Sequence, residues 1–338
     1  MGSTIKDIVK DTGLSSATIS KYLNGKKIAP KNKDVIEASI KKLGYIPNRS
    51  AQMLRSKKSN TITILLPSFS DYFWGSITGY IEEYMQKHGY STIIMAYKPS
   101  LPDQSETYRQ LLSIQTEGCI MVDETIEKTN LLELLEKSNI PCVFLDQILK
   151  TRVLDSVTSN NYESAYQMTL YLIEHGHKRI GVIGGPTDSY TAMERIRGFC
   201  QACLDHGIPE DNQIIYNGTY DAQSGLGLFQ KMMELPERPT AVFSLNYYYI
   251  MACIQMLYKY DLRIPDDLSL VTFDDDEIFS AVHPPVTVIV QDFPALGKEA
   301  GRLLLKRMKG DWDDFPQVTY VNTHFIERDS VKYLGNQP

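Results

Sequence analysis

Two groups of residues in this chain carry side chains suited to recognition rather than to bond-breaking. The first is Ser16-Ala17-Thr18-Ile19-Ser20-Lys21-Tyr22-Leu23. At helical spacing Ile19 and Leu23 turn to one side, and what faces outward is small or polar, as a helix entering a DNA major groove requires. The second group stands at the predicted ends of strands. It comprises the ring pair Phe73-Trp74 and the run Asp274-Asp275-Asp276. Aromatic faces cover apolar surfaces of a small ligand, and carboxylates accept from its donors. Carboxylates at strand ends also serve turns and helix N-caps, and a tryptophan also serves a core or an interface, so both uses stay open at this point. No Ser-His-Asp set or facing carboxylate pair stands out. Gly184-Gly185-Pro186 follows a strand but lacks the dinucleotide-binding glycines and the P-loop lysine. His175-Gly176-His177 reads as a helix stop, because no Cys, Asp or further His stands at ligand spacing. An enzyme, a bound metal and a cofactor are therefore not expected.

Charge separates the chain into a head and a body. Residues 1–60 hold 13 Lys and Arg against 4 Asp and Glu, and the remainder holds 22 against 37. A basic head favours phosphate backbones through counterion release, whereas an acidic body resists lying flat on nucleic acid. The 338 residues suffice for two or three domains. No apolar stretch reaches membrane-spanning length, and no charged-then-apolar leader opens the sequence, so a cytoplasmic protein is expected, nucleoid-associated when on DNA. The cysteines Cys119, Cys142, Cys200, Cys203 and Cys253 are odd in number and mostly in apolar contexts, which suggests reduced thiols.

The elements that must position these groups follow from periodicity. Thr4–Asp11 and Ser16–Leu23 read as two helices around the turn Thr12-Gly13-Leu14-Ser15, with Ile5, Ile8, Val9, Leu14, Ile19 and Leu23 closing a small core. Gly13 supplies the backbone freedom of the sharp turn. Pro30–Leu43 reads as a third helix with Val35, Ile36, Ile40 and Leu43 on its apolar side. The basic segment 49–58 is too short to stand as an isolated helix and could be ordered by an anionic partner. From residue 61, apolar strands at 62–66, 91–95, 118–122, 141–145, 179–183, 240–244, 268–272 and 286–290 alternate with amphipathic helices. This predicts an α/β body of two lobes with parallel sheets. A break near Asp155–Asn160 marks the expected end of the first lobe. The helix at 295–308 and strands within 317–326 come so late that the chain is expected to cross back. The expected domains are 1–46, a linker at 47–60, a first lobe of 61–158 with 289–321, and a second of 159–288 with 322–338. A ligand would sit at the carboxyl ends of the strands.

The stretches "TIKDIVKDTGLSSATISKYLNG", "LGYIPN", "AQMLRS", "EHGHKRIGVIGGP", "ERIRGF", "RPTAVFSLN", "IPDDLSLVTFDD", "HPPVTVIVQDFPALGKEA" and "IERDS" together resemble the lactose-repressor/galactose-repressor family of bacterial transcription regulators over essentially the whole chain. The resemblance implies a helix-turn-helix headpiece, a hinge helix and a two-lobed body like a periplasmic sugar-binding protein. It further implies a homodimer that binds a pseudo-palindromic double-stranded operator and answers to a small molecule, expected to be a carbohydrate, as a repressor of carbohydrate-utilisation genes. A purine effector, or a phosphocarrier protein as partner, is the alternative within the family. A sugar-binding protein without DNA function and an α/β enzyme with a DNA-binding head are the rivals outside it.

By this resemblance Ser16, Ala17 and Lys21 occupy base-reading positions, with Lys21 where the family more often has arginine. Lysine lacks the bidentate fork, so reading there is looser. Thr4, Ser15, Thr18, Ser20, Asn24 and Tyr45 are the candidates for contact with the DNA backbone, and Asn48 is a further DNA-binding candidate; Thr4 and Ser15 could equally cap helices. Leu54, apolar in a basic segment, matches the residue that pries open a minor-groove step, the alternative being packing on the headpiece or the partner. In the body, Arg195, Asn246 and Asp274 match pocket positions, Tyr220 fills an aromatic slot, and Asp146, Thr191 and Phe293 are further candidates beside Phe73 and Trp74. The family's aspartate after the asparagine is replaced by Tyr247-Tyr248-Tyr249, which points to a larger or flatter ligand, such as an oligosaccharide or glycoside.

Overall fold

The computed structural model describes residues 3–23, 27–45, 58–69, 72–98, 100–122, 124–149 and 151–335. Met1–Asn60 and Thr61–Pro338 form two separate compact units. In the first unit α1 (Ile5–Thr12), α2 (Ser16–Leu23) and α3 (Pro30–Leu43) close on Ile8, Ile19 and Ile36, with Ile5, Val9, Leu14, Leu23 and Tyr45 packed around them. Gly13 ends α1 at φ 67°, a left-handed conformation that an L side chain resists. Lys42 reaches Asp11 at 2.6 Å and ties α3 to α1. Val35, expected on the buried side of α3, is 40% exposed; Ser39 is buried instead. The fourteen-residue helix therefore buries the stripe through Ile36, Ser39 and Ile40, one position round from the predicted one.

In the second unit the strands are β1 (Thr61–Leu66), β2 (Ser91–Ala96), β3 (Cys119–Met121), β4 (Cys142–Leu145), β5 (Asp155–Ser159), β6 (Ile180–Gly184), β7 (Gln213–Asn217), β8 (Ala241–Ser244), β9 (Ser269–Phe273), β10 (Thr287–Val290), β11 (Val318–Val321) and β12 (His324–Ile326). They build two six-stranded sheets, in the orders β11-β5-β4-β3-β1-β2 and β12-β10-β9-β8-β6-β7. Among the described residues every pairing is parallel except β10 with β12. The helices are α4 (Tyr72–Lys87), α5 (Ser105–Ser113), α6 (Leu131–Lys137), α7 (Asn161–Glu174), α8 (Tyr190–Asp205), α9 (Ala222–Met233), α10 (Tyr247–Lys259), α11 (Glu277–Ala281) and α12 (Phe293–Met308).

The late return of the chain is visible. Leu296, Ala300, Leu303 and Leu304 of α12 join the core of the first sheet, and β11 extends that sheet. Ile289 and Val290 lie in β10 of the second sheet, so the crossing comes after residue 290 rather than at the predicted 289. The break read near Asp155–Asn160 is strand β5, buried along its whole length between β4 and β11. Its polar sequence hid it. Arg307 grips Asp155 through Nε and Nη2 at 2.6 and 3.0 Å, and Gln317 N donates to the same carboxylate at 2.8 Å. A buried polar strand stands only when its groups are satisfied in this way. Strand β7 also escaped the sequence reading, its two isoleucines being flanked by polar residues.

Three segments cross between the lobes and brace one another. Ser159 Oγ donates to Gln291 Oε1 at 2.5 Å, Thr323 N donates to Asn160 Oδ1 at 3.0 Å, and Asn160 N donates to Val321 O at 3.0 Å.

Candidate functional site

A cavity of about 330 Å³ opens between the carboxyl ends of the two sheets. All nine body residues singled out from the sequence line it: Phe73, Trp74, Asp146, Thr191, Arg195, Tyr220, Asn246, Asp274 and Phe293. They come from strand ends and helix starts on both lobes, as the parallel topology dictates.

One wall belongs to the first lobe. Phe73 meets Trp74 edge to face at 4.6 Å and Phe293 at 5.1 Å, so three rings separated by some 220 positions form one apolar surface. The opposite wall carries Tyr220, Tyr247 and Tyr248. Tyr220 sits at φ 57°, held because its N donates to the Tyr249 hydroxyl at 2.7 Å while its ring lies parallel to that of Tyr249. A Cβ on Gly185 would stand 2.2 Å from the Tyr220 ring, so glycine there makes room for the wall. The Gly184-Gly185-Pro186 run thus has a packing reason.

The polar floor is organised around Arg195. Its Nε donates to Asn161 Oδ1 at 2.8 Å and its Nη1 to Leu245 O at 2.7 Å, while Cζ lies 3.6 Å from the Phe273 ring centroid. These three contacts hold the buried guanidinium in one orientation. Asp274 is buried at φ 69° and accepts from Gln291 Nε2 at 2.6 Å. Burial pushes its carboxyl above the usual range, while the Arg195 charge and the Gln291 bond pull it partway back. Asp146 is also buried and left-handed, at φ 61°. Left-handed non-glycine residues cost about 1 kcal/mol or more each, and three of them, Asp146, Tyr220 and Asp274, face this one cavity. Thr191 Oγ1 pairs with Ser189 Oγ at 3.2 Å. Asn246 caps α10, its Oδ1 accepting from Tyr248 N at 2.8 Å, so its amide NH2 is the end available to the cavity.

The three consecutive aspartates divide their work. Asp274 faces the floor, Asp275 is held by Arg328 at 2.9 and 2.7 Å, and Asp276 caps α11 through Ile278 N. Sequence reasoning missed Asn161 and Gln291, which orient the arginine and the aspartate. Their only signal was position, one after β5 and one after β10. Gln147, with a buried Oε1 that meets no donor among the described residues, was missed as well.

In the headpiece, Ser16, Ala17 and Lys21 are exposed on one side of α2, opposite buried Ile19. Thr4 caps α1: the Asp7 carboxylate accepts from Thr4 N at 2.7 Å and Oγ1 at 2.8 Å. Ser15 caps α2, its Oγ accepting from Thr18 N at 3.2 Å and meeting Thr18 Oγ1 at 2.9 Å. Both residues remain on the surface, where capping and phosphate contact are compatible. Ser20 is half-buried and Tyr45 is largely buried in the core. Asn24, Asn48 and Leu54, and most of the linker expected at 47–60, lie outside the described residues.

Comparison with known proteins fits this arrangement. The family of bacterial regulatory proteins of the lacI type matches residues 4–48, and the periplasmic binding protein-like domain matches residues 169–331. The chain is 29% identical over 334 residues to the HTH-type transcriptional repressor PurR of Photobacterium profundum, covering 98% of this chain and all of that one. Its fold follows that of the lac repressor dimer bound to operator and the anti-inducer ONPF, with a TM-score of 0.82, 24% identity, and coverage of 98% and 100%. A lacI-family regulator CCPA from Weissella paramesenteroides, solved with bound sucrose, matches with a TM-score of 0.72 at 26% identity, covering 81% of this chain and 100% of that one. With a lacI-type headpiece on a two-lobed periplasmic-binding-protein-like body, the chain belongs to the lacI family of bacterial regulatory proteins and is a ligand-responsive, DNA-binding transcription regulator.

Proposed function

We propose that the effector is a carbohydrate held in the interlobe cavity and that the protein acts, as a homodimer, as a repressor of carbohydrate-utilisation genes. One observation carries this reading: nine side chains distant in sequence meet around one cavity with aromatic walls and a polar floor. Asp274, Asp146 and the Asn246 amide suit hydroxyls, and the rings suit C–H faces. Effector binding biases the angle between the lobes, and operator affinity shifts by the effector's differential affinity for the two states.

On the DNA side, Ser16, Ala17 and Lys21 read base edges. Thr4, Ser15, Thr18, Ser20, Asn24, Tyr45 and Asn48 position the backbone, and Leu54 inserts into the minor groove. Residues 1–46 then act as headpiece and 47–60 as hinge. The test is a thermal-shift panel of sugars, sugar phosphates and purines, followed by operator mobility shifts with each binder. A sugar that stabilises the protein and changes operator affinity supports the reading. Binding of a purine alone replaces it with a purine-responsive regulator, the second reading, which the match to a repressor named PurR favours. Control by a phosphocarrier protein would appear as operator affinity that changes only when that protein is added. Operator binding should weaken steeply from low to moderate salt; insensitivity to salt would remove the phosphate contacts.

A further inference from the structure

The cavity's charge and ring content narrow the effector further, on the reading that it is a carbohydrate. Among the described lining residues Arg195 is the one cation, and it shares the cavity with Asp146, Asp274 and Asp275. Arg328 neutralises Asp275 from outside the cavity, and Arg195 directs Nε and Nη1 at the protein. The carboxyl groups of the floor outnumber its one cation in a partly enclosed space, which disfavours an anion and favours hydroxyl donors. The second wall holds Tyr247 and Tyr248 beside Tyr220, facing Phe73, Trp74 and Phe293. A single pyranose offers two faces, and six rings exceed what it can cover.

We propose that Tyr247 and Tyr248 form a second subsite for an aglycone or second sugar ring. The effector is then an uncharged glycoside or disaccharide, not a monosaccharide or a phosphorylated sugar. The ring of Tyr247 also meets Phe279 at 5.7 Å, so this wall is anchored in the second lobe. Asp274 and Arg195 take the first ring, and the tyrosines select what is attached to it.

The experiment is calorimetric titration of the full-length protein with sucrose, cellobiose and the p-nitrophenyl glycosides of glucose and galactose, alongside glucose, galactose and glucose 6-phosphate. At least one disaccharide or aryl glycoside should bind about tenfold or more tighter than its parent monosaccharide, and glucose 6-phosphate about a hundredfold weaker than that ligand. In Tyr247→Leu/Tyr248→Leu, affinity for the preferred ligand should fall to the monosaccharide's level, with the monosaccharide's own affinity kept. The single variant Tyr248→Leu, which keeps the Tyr247–Phe279 contact, repeats the test if the double variant unfolds. A monosaccharide that binds as tightly as any glycoside, or a sugar phosphate that binds best, overturns this inference and leaves the carbohydrate reading standing. Silence from every sugar, with or without binding of a purine base, overturns both.

Discussion

Arg328 holds Asp275 through two hydrogen bonds of 2.9 and 2.7 Å, and its Nη1 also donates to Val286 O at 3.0 Å. The pairing joins the last part of the chain to the floor of the cavity and neutralises the carboxylate next to Asp274. Arg328→Ala should destabilise the protein by about 1–3 kcal/mol, since the pair is only partly exposed and its loss leaves a half-buried carboxylate. Urea titration reads this. Arg328→Met with Asp275→Asn should recover much of the loss; no recovery would mean that the arginine acts through packing alone.

Asp274 carries a carboxyl raised by burial. Such a group contributes stability at low pH, and that contribution is lost as pH rises through its folded value. At neutral pH the ionised form is a cost, so Asp274→Asn should leave the unliganded protein as stable or slightly more so, while abolishing the thermal shift from effector. A mutant that keeps its effector response would remove Asp274 from the binding floor.

Arg307 and Asp155 form a fully buried ion pair, extended by Arg307 Nη1 to Asp314 Oδ1 at 2.8 Å. Hydrogen bonds from Lys306 and Arg307 hold the Asp314 carboxyl down to about 2. Arg307→Met should cost about 3–5 kcal/mol by stranding Asp155, and the double variant with Asp155→Val should cost distinctly less than the two single changes summed. Additivity in the double-mutant cycle would sink this account.

His177 is buried, with Nδ1 on Thr240 Oγ1 at 2.8 Å and Nε2 on Lys332 O at 3.1 Å, and burial lowers it to about 4. It is neutral when folded, and the unfolded chain takes up its proton first. Stability should therefore fall as pH drops from about 6.5 to about 4, by up to about 3 kcal/mol from this residue. His177→Gln should flatten the profile across that window; an unchanged slope would place the acid sensitivity elsewhere.

The two tryptophans report separately. Trp74 lines the cavity, and Trp312 lies near Phe315 and Arg307. Effector should change the intrinsic fluorescence of the wild type and of Trp312→Phe, but not of Trp74→Phe. A signal that survives Trp74→Phe would contradict stacking on that ring.

Much of this protein was legible in its sequence. Apolar periodicity marked the headpiece helices and most of the strands, because each such element must bury one side and its spacing records which. The charge split marked the basic head, strand ends marked where Asp274 and Asn246 would be presented, and Arg195 came from the family resemblance alone. Only the tertiary structure decided the rest. Strand β5 is polar in sequence and buried in fact, because Arg307, from a helix some 150 residues away, satisfies Asp155. Asp276 keeps the local helix-capping duty open to any strand-end carboxylate, but the separate duties of Asp274 and Asp275 rest on Gln291 and Arg328, which no local pattern announces. Long-range satisfaction of buried polar groups leaves no period in the chain; it depends on which distant segments the fold brings within hydrogen-bonding reach.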